Sequence, residues 1–258
     1  MVIRLRAAGC VFAEDEARLL ISSARTPADL AAMVDRRVKG LPLEHVLGWA
    51  EFCGLRIAVD TGVFVPRRRT EFLVRQAASL ARPGAVVLDL CCGSGAVGAA
   101  LAATVEGAEI HAVDIDPAAV LCARRNLPGG QVYEGDLYEP LPDALRGRVD
   151  VLVANAPYVP TEAIGLMPPE ARVHEPRVAL DGGSDGLDVQ RRVTAEAPRW
   201  LASGGYLLIE TSAHQAASTV AAFARHGLIP RVATADELSA TVVIGSAIGT
   251  RSSARLAE

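Results

Sequence analysis

At 258 residues, 50% hydrophobic and 22% charged, the chain can bury a sizeable core and reads as one large domain with a small appendage. No apolar run approaches the roughly 20 residues that a membrane helix needs, and the residues after Met1 lack the pattern of an export leader, so a cytoplasmic location is expected. A net charge of −4 supplies no global basic face, which argues against extended nucleic-acid binding.

Two amphipathic helical patterns come first, over residues 11–23 and 27–39. The second has Thr26 in the capping place, Pro27 in the first helical position and Asp29 three residues after the cap, and it closes at Gly40 and Pro42. Glu51 to Asp60 reads as a β-hairpin whose alternation is broken by Gly54. Thr70-Glu71 is expected to cap a helix running to about Arg82. From Pro83 onward strands and helices alternate: strands at 86–90, 109–114, 131–134, 149–154, 205–210, 229–234 and 241–244, and helices at 96–105, 117–126, 187–201 and 214–225. A long irregular stretch separates Ala154 from about Asp181. This order predicts an α/β architecture, a Rossmann-like, doubly wound sheet with a terminal antiparallel strand, plus a small helical N-terminal region and the hairpin. The expected division is 1–43 for the helical region, 44–69 for the hairpin linker and 70–258 for the catalytic domain. Five cysteines (Cys10, Cys53, Cys91, Cys92 and Cys122) show no C-x-x-C spacing and no histidine partners, so no metal is expected and a reducing compartment fits.

In such sheets ligands sit beyond the carboxyl ends of the strands. The first buried strand runs into Asp89-Leu90-Cys91-Cys92-Gly93-Ser94-Gly95, where glycines let the backbone approach a ligand and a helix N-terminus offers free N–H groups. The next strand ends at Asp114, ~20 residues on, where a carboxylate can accept from ribose hydroxyls. Gly98 completes a dinucleotide-type glycine spacing, so the turn by itself does not exclude a nicotinamide cofactor. Asp136, after the third strand, can accept from an adenine amine while Leu137 packs on the ring.

The fourth strand ends in Asn155-Ala156-Pro157-Tyr158. An amide or aromatic amine is a poor nucleophile because its lone pair is delocalised. Two acceptors, the Asn155 side-chain oxygen and the Ala156 carbonyl, can hold its two hydrogens and favour a more tetrahedral nitrogen. Pro157 stiffens the turn and the Tyr158 ring covers a planar substrate. An isolated N-x-P-Y is also what a plain turn with one packed tyrosine looks like. Here it follows a glycine turn and two strand-end aspartates.

These residues resemble the N-P-P-Y signature of planar-nitrogen methyltransferases, and the chain from about residue 42 resembles the HemK-like protein-(glutamine-N5) methyltransferases, which modify peptide release factors. The match includes 42–48, Val65-Pro66-Arg67 with Thr70-Glu71, 87–90, 155–158, His174-Glu175-Pro176, 179–183 and 185–188. The resemblance implies a class I fold dependent on S-adenosylmethionine. Its cofactor contacts would be Asp89, Cys91, Cys92, Gly93, Ser94, Gly95, Asp114, Asp136 or Leu137, and Asn155. Residues Asn155, Ala156, Pro157 and Tyr158 would carry the chemistry on a glutamine of a protein partner. Ala156 stands where the family has its first proline, and the N-terminal region is short for the family, which implies a paralogue with a shortened N-terminal domain. The alternatives are an N-methyltransferase for a small molecule or a nucleobase amine, and a binding module that keeps the cofactor without chemistry. Arg67-Arg68-Arg69 reads either as a phosphate site or as a solvated cationic turn. Glu175 reads either as a brace for the long loop or as a substrate contact.

Overall fold

A computed structural model describes residues 1–247; the end of the expected 70–258 region, 248–258, lies outside the described residues. Four helices come first: α1 (Val2–Ala7), α2 (Ala13–Ser23), α3 (Pro27–Val38) and α4 (Leu43–Leu47). α3 starts as its residues dictate, with the Asp29 N–H donating to the Thr26 hydroxyl at 3.1 Å and the Asp29 carboxylate accepting from the Arg25 N–H at 2.9 Å. The sequence pattern did not indicate α1 or α4, each of which is too short to show a period. They contribute Leu5 and Val46 to a small core with Ala17, Leu20, Met33 and Val34. Arg37 is buried beside this core, with Nε and Nη2 donating to Glu16 at 2.6 and 3.1 Å.

The hairpin pairs β1 (Trp49–Phe52) with β2 (Leu55–Ala58) around Cys53 and Gly54, whose φ values of 50° and 74° suit a two-residue turn between twisted strands. It spans 49–58 rather than 51–60, and Ala50, Phe52 and Ile57 join the main core. A 3₁₀ turn (Arg68–Thr70) leads into α5 (Glu71–Leu80). Here the expectation for Thr70 is corrected. Its backbone is already helical (φ −68°, ψ −15°), whereas a capping residue is extended, and its side chain makes no cap.

The main sheet contains β3 (Val86–Leu90), β4 (Glu109–Asp114), β5 (Gln131–Glu134), β6 (Val149–Ala154), β7 (Leu201–Thr211), β8 (Leu228–Ala235) and β9 (Ala240–Ala247), in the order β5-β4-β3-β6-β7-β9-β8. The strands from β5 to β7 are parallel, and β9 runs antiparallel between β7 and β8. The antiparallel strand is therefore the last of the described strands in chain order but lies inside the sheet. β7 begins at Leu201 rather than Gly205, directly after its helix.

Around the sheet lie α6 (Ala96–Thr104), α7 (Pro117–Asn126), α8 (Pro169–His174), α9 (Asp188–Trp200) and α10 (Ala216–Arg225). Side chains alternate between two cores as the period-two geometry of strands requires. Val87, Val151, Val153 and Leu208 join residues of α5, α6 and α7 on one face. Leu88, Leu152, Leu207 and Ile209 join Val193, Ala197 and Trp200 of α9 on the other. The stretch expected to be irregular holds a 3₁₀ segment (Thr161–Leu166), α8 and a second 3₁₀ turn (Arg177–Ala179). Strand order reverses between β3 and β6, which opens a crevice at their carboxyl ends. Among the described residues no helix is long and apolar enough to cross a membrane.

Candidate active site

One cavity lies at that crevice. It gathers Asp89, Cys91, Cys92, Gly93, Ser94, Asp114, Asp136, Leu137, Asn155, Ala156, Pro157 and Tyr158, all singled out from the sequence. Gly95 is not in its lining. It starts α6 with a φ of 75°, and a β-carbon there would come within 3.0 Å of the Ala123 side chain. It lets α6 approach α7 closely. That is a packing role rather than a contact with the cavity.

The turn after β3 is tight. Cys91 and Gly93 have φ values of 56° and 55°, and the Cys92 N–H donates to the Val113 carbonyl at 3.0 Å. A left-handed backbone is uncommon for a residue with a side chain, so Cys91 occupies a place that suits glycine. Asp89, buried in β3, accepts the Gly98 N–H at 2.9 Å and thereby ties the strand to α6. Burial pushes the Asp89 carboxyl up to about 7, with the Gly98 N–H opposing and the Asp114 charge adding to the rise.

Asp114 closes the turn from the side, accepting the Gly93 N–H at 2.7 Å on one oxygen and the Asp116 N–H at 2.9 Å on the other. Burial raises its pKa, and these backbone N–H groups hold it down. Asp136 faces the same cavity, with one oxygen 2.7 Å from the Arg192 guanidinium. Leu137 follows it with a φ of 51°, a conformation that turns its side chain into the cavity lining.

Asn155 leaves β6 with its Nδ2 3.3 Å from the Thr70 hydroxyl. Ala156 is buried behind it. The Tyr158 hydroxyl donates to Glu210 at 3.4 Å, and the Arg69 guanidinium lies 5.8 Å from its ring centre. Burial, then the Glu210 charge, pushes the Tyr158 phenol up to about 12, so it stays a neutral donor.

The turn is held from below by the 179–188 stretch. The Val159 N–H donates to Leu180 at 3.0 Å and the Gly182 N–H returns to Val159 at 2.9 Å. Gln215 Nε2 joins the Tyr158 and Asp185 carbonyls at 3.0 and 2.9 Å. Glu175 is a brace: its carboxylate accepts twice from Arg67, at 2.7 and 2.6 Å, and once from the Val65 N–H at 3.2 Å. Arg69 reaches Glu210 at 3.4 Å, so two of the three arginines read as either a phosphate site or a solvated cationic turn are paired with buried acids.

Glu210, Gln215 and Ile115 were not singled out from the sequence, and Thr70 was read there as a helix cap rather than as part of the site. Ile115, half exposed at the cavity edge directly after Asp114, carried a usable signal, since an apolar residue following a strand-end acid has no core to enter. Glu210 carried none. An acid closing an apolar strand looks like any solvated strand end.

The methyltransferase small domain model matches residues 54–183. The chain is 41% identical over 230 residues to a release factor glutamine methyltransferase of Geobacter sulfurreducens, covering 86% of this chain and 80% of the relative. It is 38% identical over 205 residues to a 4-amino-L-phenylalanine/4-methylamino-L-phenylalanine methyltransferase of Streptomyces pristinaespiralis, covering 75% and 69%. The fold is similar to that of a methyltransferase from Pyrococcus furiosus, with a TM-score of 0.59 at 16% identity, over 84% of this chain and 99% of the other. The doubly wound sheet, the crevice at its reversal and the extent of this identity place the chain in the release factor glutamine methyltransferase family, whose methyl donor is S-adenosylmethionine.

Proposed function

We propose that this chain transfers the methyl group of S-adenosylmethionine to the side-chain amide nitrogen of a glutamine in a protein, and that the protein is a peptide release factor. The observation that carries this reading is the Asn155 amide. It is tied through Nδ2 to Thr70 at the end of a buried strand, which leaves Oδ1 as an acceptor toward the cavity.

The cavity lining suits the donor. Asp89, Asp114 and Asp136 set three carboxylates around a space that would take a cationic ligand with a ribose diol and an amine-bearing base. In this reading Asp114 accepts from the ribose hydroxyls, Asp136 and Leu137 flank the adenine, and the Cys91–Ser94 turn allows close backbone approach. When bound, S-adenosylmethionine supplies a methyl group on a positively charged sulfur, which takes the electron pair of the broken C–S bond.

The chain's own residues then act on the acceptor. Asn155 Oδ1 and the Ala156 carbonyl hold the two amide hydrogens, which turns the nitrogen lone pair out of conjugation and toward the methyl carbon. Tyr158 covers the amide plane, its phenol fixed on Glu210. After the N–C bond forms, the nitrogen carries one proton too many, and that proton leaves to water. Val178 lines the cavity, and Leu166, at the end of the 3₁₀ segment, and Val173, on α8, stand exposed nearby in the chain, apolar side chains suited to a protein surface.

The relative named for 4-amino-L-phenylalanine supports a second reading, in which the planar nitrogen is the aryl amine of a small molecule. Incubation with methyl-labelled S-adenosylmethionine and either a recombinant release factor or 4-amino-L-phenylalanine separates the two. Label on a release-factor glutamine, lost in Asn155→Ala, supports the main reading. Label on the amino acid alone overturns it.

A further inference from the structure

Of the three consecutive arginines, Arg67 and Arg69 line the cavity and Arg68 does not. Arg67 is committed, because its Nη2 donates to both oxygens of Glu175. Arg69 is held differently. It directly precedes Thr70, whose hydroxyl lies 3.3 Å from Asn155 Nδ2. Its closest approach to the buried Glu210 is through Nε, at 3.4 Å, and its side chain is 45% exposed. Neither of its terminal nitrogens makes a hydrogen bond among the described residues. The same Glu210 oxygen accepts the Tyr158 hydroxyl at 3.4 Å, and the guanidinium lies 5.8 Å from the Tyr158 ring centre.

One buried oxygen thus steadies both the Tyr158 ring and the stem of the guanidinium beside it. A guanidinium is a planar fork of N–H donors. Tethered through Nε, Arg69 keeps its Nη hydrogens without a protein acceptor at the cavity wall. Charge decides what those donors suit. The second oxygen of Glu210 has no hydrogen-bond partner among the described residues, so this acid leans on Arg69 for its neutralisation. A carboxylate or phosphate added to that balanced pair would set two anions on one cation. A neutral oxygen takes the same donors without that repulsion. The nearby walls of Phe64, Pro66, Met167, Pro176 and Val178 supply no side-chain donor, and a carbonyl brought against apolar surface needs one.

We propose that Arg69 is a substrate-binding residue: its Nη groups donate to a main-chain carbonyl oxygen next to the methylated side chain, so the site selects a glutamine within a polypeptide over a free amino acid. This rests on the reading of Asn155 Oδ1 and the Ala156 carbonyl as acceptors for the amide hydrogens. The two sets of groups are complementary. The acceptors take the hydrogens of the side-chain amide, and the donor fork takes an oxygen of the backbone that carries it. The arginine run is then divided by role, with Arg67 bracing the loop through Glu175 and Arg69 reading the acceptor.

The test measures transfer from S-adenosylmethionine to a recombinant release factor by Arg69→Lys and Arg69→Met. Lysine keeps a cation over Glu210 and so protects the fold, but it has no planar fork. Expected for Arg69→Lys is a KM for the release factor raised roughly 10- to 100-fold, the loss of a hydrogen bond from a charged donor. Its kcat, melting temperature and Kd for S-adenosylmethionine stay at wild-type values. Arg69→Met shows at least the same rise in KM. In competition assays, N-acetylglutamine methylamide, which carries two backbone carbonyls, inhibits the wild type more strongly than free glutamine, and Arg69→Lys abolishes that difference. A wild-type KM in Arg69→Lys overturns the proposal, as does a fall in kcat at unchanged KM, which would assign Arg69 to holding Tyr158. Stronger inhibition by free glutamine overturns it too, since the ligand would be a carboxylate. Asn155→Ala separates these failures from that of the parent reading. If it abolishes transfer while the Arg69 variants keep their KM, only the role of Arg69 is wrong. If Asn155→Ala is fully active, the reading of the site itself falls.

Discussion

Gly182 sits so close beneath Pro157 that a β-carbon at Gly182 would come within 2.7 Å of the Pro157 carbonyl oxygen and of the Gly186 carbonyl. Both neighbours are backbone, so neither can swing aside. Gly182→Ala must therefore push the 157–159 turn upward, into the cavity that Tyr158 lines. Overpacking of this kind costs about 1–3 kcal/mol. A displacement near 1 Å at a reacting centre lowers turnover by about 100-fold. Gly182→Ala should melt a few degrees lower and lose kcat while keeping its affinity for S-adenosylmethionine, measured by calorimetry. Unchanged kcat in a folded Gly182→Ala would show that the turn does not place the reacting groups.

The position of that glycine also shows what a sequence can and cannot express. The buried strands β3 and β6 were legible because each is apolar but for a single aspartate, Asp89 and Asp150, a composition that admits few other readings, and the turn residues after them followed from where such strands end. The stretch 179–188 was recognisable as a pattern, yet its physical role is a backbone cradle for Val159 and Tyr158, which no periodicity encodes. Thr70 was misread for a related reason. Threonine before glutamate is a capping signal locally, but a 3₁₀ turn places its hydroxyl against Asn155, 85 positions away. Glu210 and Gln215 depend wholly on such long-range neighbours. The short helices α1 and α4 hold too few turns to display a stripe.

Asp114 is the carboxylate most directly placed to serve both the turn and the cofactor. Its two oxygens accept the Gly93 and Asp116 N–H groups at 2.7 and 2.9 Å, and each keeps a second lone pair for a ribose hydroxyl. Asp114→Asn keeps one acceptor and turns the other into a donor aimed at an N–H. Hydrogen bonds to a charged group are worth about 1.5–3 kcal/mol, so the Kd for S-adenosylmethionine should rise by roughly 10- to 100-fold. At saturating cofactor, kcat should stay within a few-fold of wild type. A variant that binds normally but turns over slowly would place Asp114 in the chemical step instead.

Asp89 gives a stability prediction with a definite pH window. Burial holds its carboxyl up at about 7, whereas an unfolded aspartate titrates near ~3.9. Between those values the folded chain keeps a proton that the unfolded chain has released. Stability from this group is thus fully present below ~4, falls as pH rises, and is lost above about 7. Asn cannot ionise, and its carbonyl can still accept the Gly98 N–H. Urea unfolding of Asp89→Asn should coincide with wild type near pH 4 and exceed it at pH 8 by up to about 4 kcal/mol. A gap that does not change with pH would mean that Asp89 ionises freely in the folded chain.

Arg37 joins the N-terminal helices to the loop beside the cavity. Its guanidinium donates to Glu16 at 2.6 and 3.1 Å, to the Leu41 carbonyl at 3.0 Å and to Glu170 at 2.6 Å. Arg37 and Glu16 are both nearly shielded from water, whereas Glu170, on α8, is half exposed. The two halves of this cluster should behave differently. Arg37→Ala strands the Glu16 charge in the small core and should cost about 3–5 kcal/mol locally. Glu170→Ala removes a screened partner and should cost under about 1 kcal/mol. Because the helical core around Leu20 and Met33 is separate from the two sheet cores, the loss in Arg37→Ala should be confined. Hydrogen exchange should quicken in α2 and α3 while amides of β3 and β6 keep their protection, and cofactor affinity should be unchanged. Equal loss of protection in the sheet would show that the helical region and the catalytic core unfold as one unit.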